Sequence, residues 1–163
     1  MKKDSLVLMS FLLILSLVSC NRNNMESNDS LSTSSINSSD KNDEENMKIN
    51  LSVNDHNLEA TLLDNNASAK AFYDLVKEGL TLQLSEYGGF EKVGPIGKTL
   101  PSNDSRINAQ PGDLILYASN QLSLMYSSNS WSYTKLGMID NLAQLDLEAI
   151  LGDKDVIVVF SIK

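Results

Sequence analysis

The sequence predicts a mainly β fold over residues 47–163: a closed or nearly closed antiparallel β-barrel of about eight short strands with two capping helices. Three observations carry this. Apolar and polar residues alternate over short runs, Asn-Asp, Gly-Gly and Pro-Gly pairs punctuate those runs, and only two stretches carry helical spacing.

Lys48 to Val53 alternates, with Ile49, Leu51 and Val53 on one face. Asn54-Asp55 begins a turn, and Leu58 to Leu63 returns as the second strand of a hairpin. Asn65-Asn66 offers a cap for a helix over Ala67 to Lys77, where Ala71, Phe72, Leu75 and Val76 share a face before Gly79 stops it. Leu80 to Ser85 alternates again, and Gly88-Gly89 is a hairpin turn because both residues tolerate positive φ. Residues 90–111, interrupted by Pro95, Pro101 and Pro111, form the least regular stretch. Pro111-Gly112 suits the centre of a type II turn. Strands follow over Asp113 to Ala118, Leu122 to Tyr126 and Ser132 to Leu136. Leu142 to Leu151 reads as a second amphipathic helix, capped by Asp140 or Asn141 and ended by Gly152. Val156 to Ile162 is apolar on both faces, as expected of a strand deep in a core. An open α+β sheet is the alternative that periodicity leaves.

The chain has 163 residues, 13 basic and 21 acidic, for a net charge of −8. That balance excludes a nucleic-acid partner, which needs a basic face against phosphate. Hydrophobic content of 42% suffices for one core, and the length for one domain of ordinary size.

The leader is a separate segment. Lys2 and Lys3 precede the apolar run Leu6 to Val18, which as a helix would rise about 20 Å, short of a membrane span. Residues 1–19 therefore read as a secretory signal. Leu17-Val18-Ser19-Cys20 resembles the bacterial lipobox, which implies diacylglycerol on the Cys20 thiol after cleavage. Cys20 is the only cysteine, so no internal disulfide or thiolate metal site can form. Acyl chains there make the membrane a partner and place the protein at the cell envelope, outside the cytoplasm. Asn21 in place of Asp resembles outer-membrane sorting where the host has two membranes. Residues 21–46, rich in Asn and Ser, read as a disordered tether following the lipidated Cys20, reaching roughly 28 Å. Asp40, Asp43, Glu44 and Glu45 read as its solvated acidic end rather than a calcium site.

An ordered series of residues resembles a known family. Ala60-Thr-Leu-Leu-Asp-Asn65, Ala69-Lys-Ala-Phe72, Leu100-Pro101, Gly112-Asp-Leu114 with Leu116-Tyr117, Tyr133-Thr-Lys-Leu-Gly137, Asp140 and Asp155-Val156 resemble the bacterial cyclophilin-like domain over 47–163. The resemblance implies an eight-stranded barrel capped by helices and little about chemistry. It also makes accessory service to a flavodoxin-like redox partner a possibility that no residue here supports directly.

True cyclophilins catalyse prolyl isomerisation with an Arg beside an apolar cup, and their Phe, His, Arg and Phe-Met-x-Gln signature is absent. A divergent isomerase would have to use Arg106, the single Arg of the domain, with Gln110 and a cup containing Trp131 or Phe90. Arg106 reads instead as a surface residue beside a turn, so no catalytic residue is assigned. His56, the sole His, lies at a predicted hairpin tip without an orienting partner, and no serine sits in a nucleophile elbow. Gly97-Lys98-Thr99 mimics the end of a phosphate loop, but Lys92 stands where its first Gly belongs. No cofactor or metal is expected.

A ligand-binding set remains. Tyr117, Tyr126 and Tyr133 fall on successive predicted strands, and Trp131 in the Ser-rich loop between two of them. Aromatics with polar tips at a barrel mouth suit an unknown small molecule, peptide or protein, and Glu86 and Glu91 flank Tyr87 and Phe90 nearby to add acidity, with Glu86 taken into the set. Retaining glycosidases also use two carboxylates, but at a separation that sequence does not give.

Overall fold

Alternation along the chain produces nine antiparallel strands that bend round into a ring. The computed structural model describes residues 47–163. Residues 1–46, with the stretches read as leader and tether and the expected lipidation site Cys20, lie outside the described residues. The strands are β1 (Lys48–Val53), β2 (His56–Leu62), β3 (Leu80–Tyr87), β4 (Glu91–Pro95), β5 (Ser105–Ala109), β6 (Asp113–Tyr117), β7 (Gln121–Met125), β8 (Asn129–Ile139) and β9 (Val156–Ile162). Helix α1 spans Ala67–Lys77 and α2 spans Leu147–Leu151. The strand order is β2-β1-β9-β3-β4-β7-β6-β8-β5, and β2 also pairs with β8. Eight strands thus close on themselves, and β5 extends the first half of β8 beyond the ring.

Closure depends on a residue without a side chain. Gly137 on β8 faces Leu62 on β2, and a Cβ there would stand 2.4 Å from the Thr61 carbonyl oxygen and 2.8 Å from Leu62 Cα. Any larger residue would push the two edge strands apart. Leu136 is the extra residue of a β-bulge opposite Leu114 and Ile115, so β8 bends from one set of partners to the other.

The ring is filled from within. Ile49, Leu51, Leu58, Ala60, Leu82, Leu84, Leu114, Leu116, Leu122, Leu124, Val158 and Phe160 form one buried core. Helix α1 lies on it as its spacing dictates, with Phe72 edge-on to Phe160 at 5.7 Å. Asn66 caps α1, its side-chain oxygen accepting from the Ser68 and Ala69 N–H groups at 2.9 and 3.1 Å.

Three sequence expectations change. The helix expected over 142–151 is a 3₁₀ turn at Leu142–Gln144 followed by the short α2, because Leu145 is extended and Asp146 caps the second piece. Strand β9 is not apolar on two buried faces, for Ile157 stands 63% exposed while Val156, Val158 and Phe160 point inward. The stretch 90–111, read as irregular, contributes β4 and β5. Inward positions on β4 are held by Lys92 and Gly94, which hide its alternation. At Gly94 a Cβ would meet the Gln83 carbonyl oxygen at 2.2 Å, so β3 and β4 can approach this closely only with Gly there.

Candidate functional site

Strands β4, β7 and β6 have an outer face as well as an inner one, and register decides which residues occupy it. Glu91 pairs with Met125 and Val93 with Ser123, while Ile115 also pairs with Ser123. These residues share the face away from Leu122 and Leu124. On β8 and β5, Tyr133 pairs with Ser105, Trp131 with Ile107 and Asn129 with Ala109. The β5–β8 hairpin folds over the outer face, and Ala109, Ile115, Met125 and Tyr133 bury a second small core against Phe90 and Ile107.

Beside that core lies a cavity of about 470 Å³, lined by Tyr87, Phe90, Glu91, Val93, Tyr117, Gln121, Asn129, Trp131 and Tyr133. This is within the size range of small-molecule sites. Tyr87 and Phe90 meet edge to face at 6.0 Å, and Tyr117 and Tyr133 at 6.1 Å. Asn129 Nδ2 donates to the Tyr133 hydroxyl at 2.8 Å and fixes that ring. Trp131 remains 55% exposed, a large apolar surface left facing solvent at the cavity.

At the wall of this aromatic hollow sits a carboxyl group. Glu91 is 6% exposed, and its Oε2 atom has no hydrogen-bond partner; the buried Ser123 Oγ on the neighbouring strand has none either. Burial pushes the Glu91 carboxyl above the usual carboxylate range. The Ser123 hydroxyl beside it offsets part of that, and the Glu86 charge adds to it. Burial likewise raises the Tyr133 phenol, with the Asn129 amide opposing.

The residues singled out in the sequence therefore divide. Tyr117, Trp131 and Tyr133 line the cavity together, on the outer face of the ring rather than at its mouth. Trp131 lies on β8, two residues from Tyr133, and not in a loop. Tyr126 and Glu86 do not line it. They belong to a polar group with Lys92: the Tyr126 hydroxyl donates to Glu86 Oε1 at 2.6 Å, and Lys92 Nζ donates to Glu86 Oε2 at 2.8 Å and to the Lys154 carbonyl at 2.9 Å. Burial would raise the Glu86 carboxyl, but the Lys92 ammonium, the Tyr126 hydroxyl and the Gly89 N–H together hold it below its ordinary value. Burial and the Glu86 hydrogen bond raise the Tyr126 phenol strongly.

Arg106 is exposed and alternates with the inward Ile107 on β5, paired with Ser132, so it stands on the far side of the strand from the cavity. The Gln110 side chain donates to the Asn108 and Ala109 carbonyls. Phe90 and Trp131, the alternatives for a proline cup, both line the cavity. His56 is exposed at the start of β2. Among the described residues, no three of His, Cys, Asp and Glu gather as a metal ion would require.

The Cyclophilin-like family model matches residues 51–161, well over half of the chain. The chain belongs to the cyclophilin-like family. No curated protein matches it. Within this cyclophilin-like domain, the residue that sequence reasoning weighed but left out of the site is Glu91. Its signal was present: a Glu between Phe90 and Val93, one step out of phase with Glu86 across the Gly88-Gly89 turn.

Proposed function

We propose that this cyclophilin-like chain is a lipid-anchored binding module of the cell envelope, taking a small molecule or peptide partner in the aromatic cavity beside β4 and β8. The observation that carries the reading is Trp131, exposed at the edge of a cavity whose other walls are Tyr87, Phe90, Tyr117 and Tyr133. Rigid aromatics of this kind give large contact area at small entropic cost on binding. Anchoring rests on Leu17-Val18-Ser19-Cys20 and the apolar run before it. The residues after Cys20 then serve as a tether that lets the domain sample the space above the membrane.

A ligand-library thermal-shift screen on the full chain tests the reading. A stabilising ligand should lose about tenfold or more in affinity on Trp131→Ala, while the unliganded variant keeps its melting temperature within a few degrees. Unchanged affinity would remove Trp131 from the site. A divergent prolyl isomerase is the competing reading, and Arg106 on the far side of β5 gives it no support.

A further inference from the structure

Most of the cavity wall is uncharged and aromatic, which makes its one carboxyl the group to explain. Of the nine lining residues, none is Lys, Arg or His, and Glu91 alone carries a formal charge. A buried carboxylate without a counter-charge is costly, and so is each buried polar atom left without a partner. Glu91 Oε2 and Ser123 Oγ are both of this kind, on adjacent strands and on the same face. In folded proteins such groups are paired with a charge, a donor or a bound molecule. Lys92 follows Glu91 directly in sequence, but strand alternation sends its ammonium to the other side of β4, where Glu86 and the Lys154 carbonyl take it.

From this we infer that the cavity takes an organic cation, an ammonium or guanidinium group that pairs with Glu91 while its apolar remainder lies against Trp131 and the tyrosines. The inference rests on the ligand-site reading above and adds the class of ligand. Two properties of the wall favour a cation over a neutral or anionic guest. The rings of Tyr87, Phe90, Tyr117, Trp131 and Tyr133 offer negative π faces, which attract a cation most strongly where water is excluded. An anion would meet a carboxylate and no basic side chain, in a domain with 9 basic and 14 acidic residues. A donor on the incoming group would pair with the Glu91 carboxylate, the one lining group that can form a charge-assisted hydrogen bond with it.

The test uses the full chain and the fluorescence of Trp131, which is the only tryptophan in the sequence. Phenethylammonium and phenethylguanidinium are titrated against the uncharged 2-phenylethanol, and a blocked lysine-containing peptide is titrated in parallel. We expect at least one cation to bind tenfold or more tighter than the alcohol, with Glu91→Gln abolishing that preference. A free amine that binds where the peptide does not identifies a small-molecule source, and the reverse identifies a lysine side chain.

Wild-type protein provides a second measurement that needs no variant. Affinity for the cation should fall as pH drops through the raised Glu91 titration, while affinity for the alcohol stays level. The other titratable groups lining the cavity are the phenols of Tyr87, Tyr117 and Tyr133. The Glu86 carboxyl with Lys92, on the other side of β4, is held below its ordinary value and so titrates in a lower range. Equal affinity for cation and alcohol, unchanged by Glu91→Gln and by pH, overturns the cation inference and leaves the ligand site standing. No response of Trp131 to any cation overturns it as well.

Discussion

Lys92 Nζ lies 2.8 Å from Glu86 Oε2, with the lysine side chain wholly buried and the glutamate partly open to solvent. The pair is asymmetric, so its two halves should differ in their mutational cost. Glu86→Gln leaves an ammonium inside the ring with a carbonyl and the Tyr126 ring for company, and should destabilise by about 3 kcal/mol. Lys92→Met removes the buried charge itself, and Glu86 keeps water, Tyr126 and Gly89; about 1 kcal/mol is expected. Chemical denaturation of the two variants checks the order, and a larger loss for Lys92→Met would contradict it.

Stability should respond to pH with opposite signs at the two glutamates. Glu86 has a lowered folded value, so its contribution is present above the ordinary carboxylate range and is lost as pH falls through that folded value. Glu91 has a raised folded value, so without a ligand it favours the fold when protonated and weakens it as pH rises through that value. Glu91→Gln should accordingly raise the melting temperature at neutral pH, and its advantage should vanish below about pH 4, where glutamate is protonated in both states. Thermal melts across this range decide the matter; a variant less stable than wild type at pH 7 would show that Glu91 is not an unpaired burial.

Gly137→Ala should open the ring. The added Cβ would press on the Thr61 carbonyl and on Leu62 Cα, both backbone atoms that cannot turn aside. A loss of about 1–3 kcal/mol is expected, with faster hydrogen exchange concentrated where β2 meets β8. Exchange that accelerates uniformly would argue against local closure at this point.

Arg106→Ala should leave folding stability within about 0.5 kcal/mol, since Arg106 is exposed and paired with Ser132 only through the strand ladder. In a coupled cis/trans assay neither wild type nor variant should turn over X-Pro peptides. Catalysis that disappears with the arginine would restore the isomerase reading.

Cys20→Ser tests the anchor. The variant should leave the membrane fraction or stall in processing, and complete processing with retained membrane association would end the lipoprotein proposal.

Much of the ring was legible because local chemistry and burial agree there. Asn66 and Gly79 bracket α1 at its observed limits. Of the face read as Ala71, Phe72, Leu75 and Val76 the structure buries Phe72 and Val76, with Ala69 and Tyr73 beside them and Ala71 and Leu75 half-buried. Asn54-Asp55, both at positive φ, form the hairpin turn their residue types suggest. Misreadings occur where the two disagree. Ile157 and Val159 obey strand propensity while facing outward, so an apolar run looked like a doubly buried strand. On β4 a lysine occupies an inward position and a glutamate an outward but covered one, inverting the expected pattern of charge and burial. The same inversion hid the site. Trp131 and the tyrosines were visible as aromatics, but choosing Glu91 over Glu86 requires knowing which side of β4 each neighbour faces.

Glu91 and Lys92 are consecutive, and one layer of backbone is all that keeps their opposite charges in separate compartments. The two-glycine turn before them acts as a counter: gain or lose one residue there, and parity along β4 flips. An ammonium would then enter the aromatic chamber, and a carboxylate would be driven among Leu122, Leu124 and their neighbours. Both compartments would fail together, so the length of this short connection is under tighter constraint than its identity.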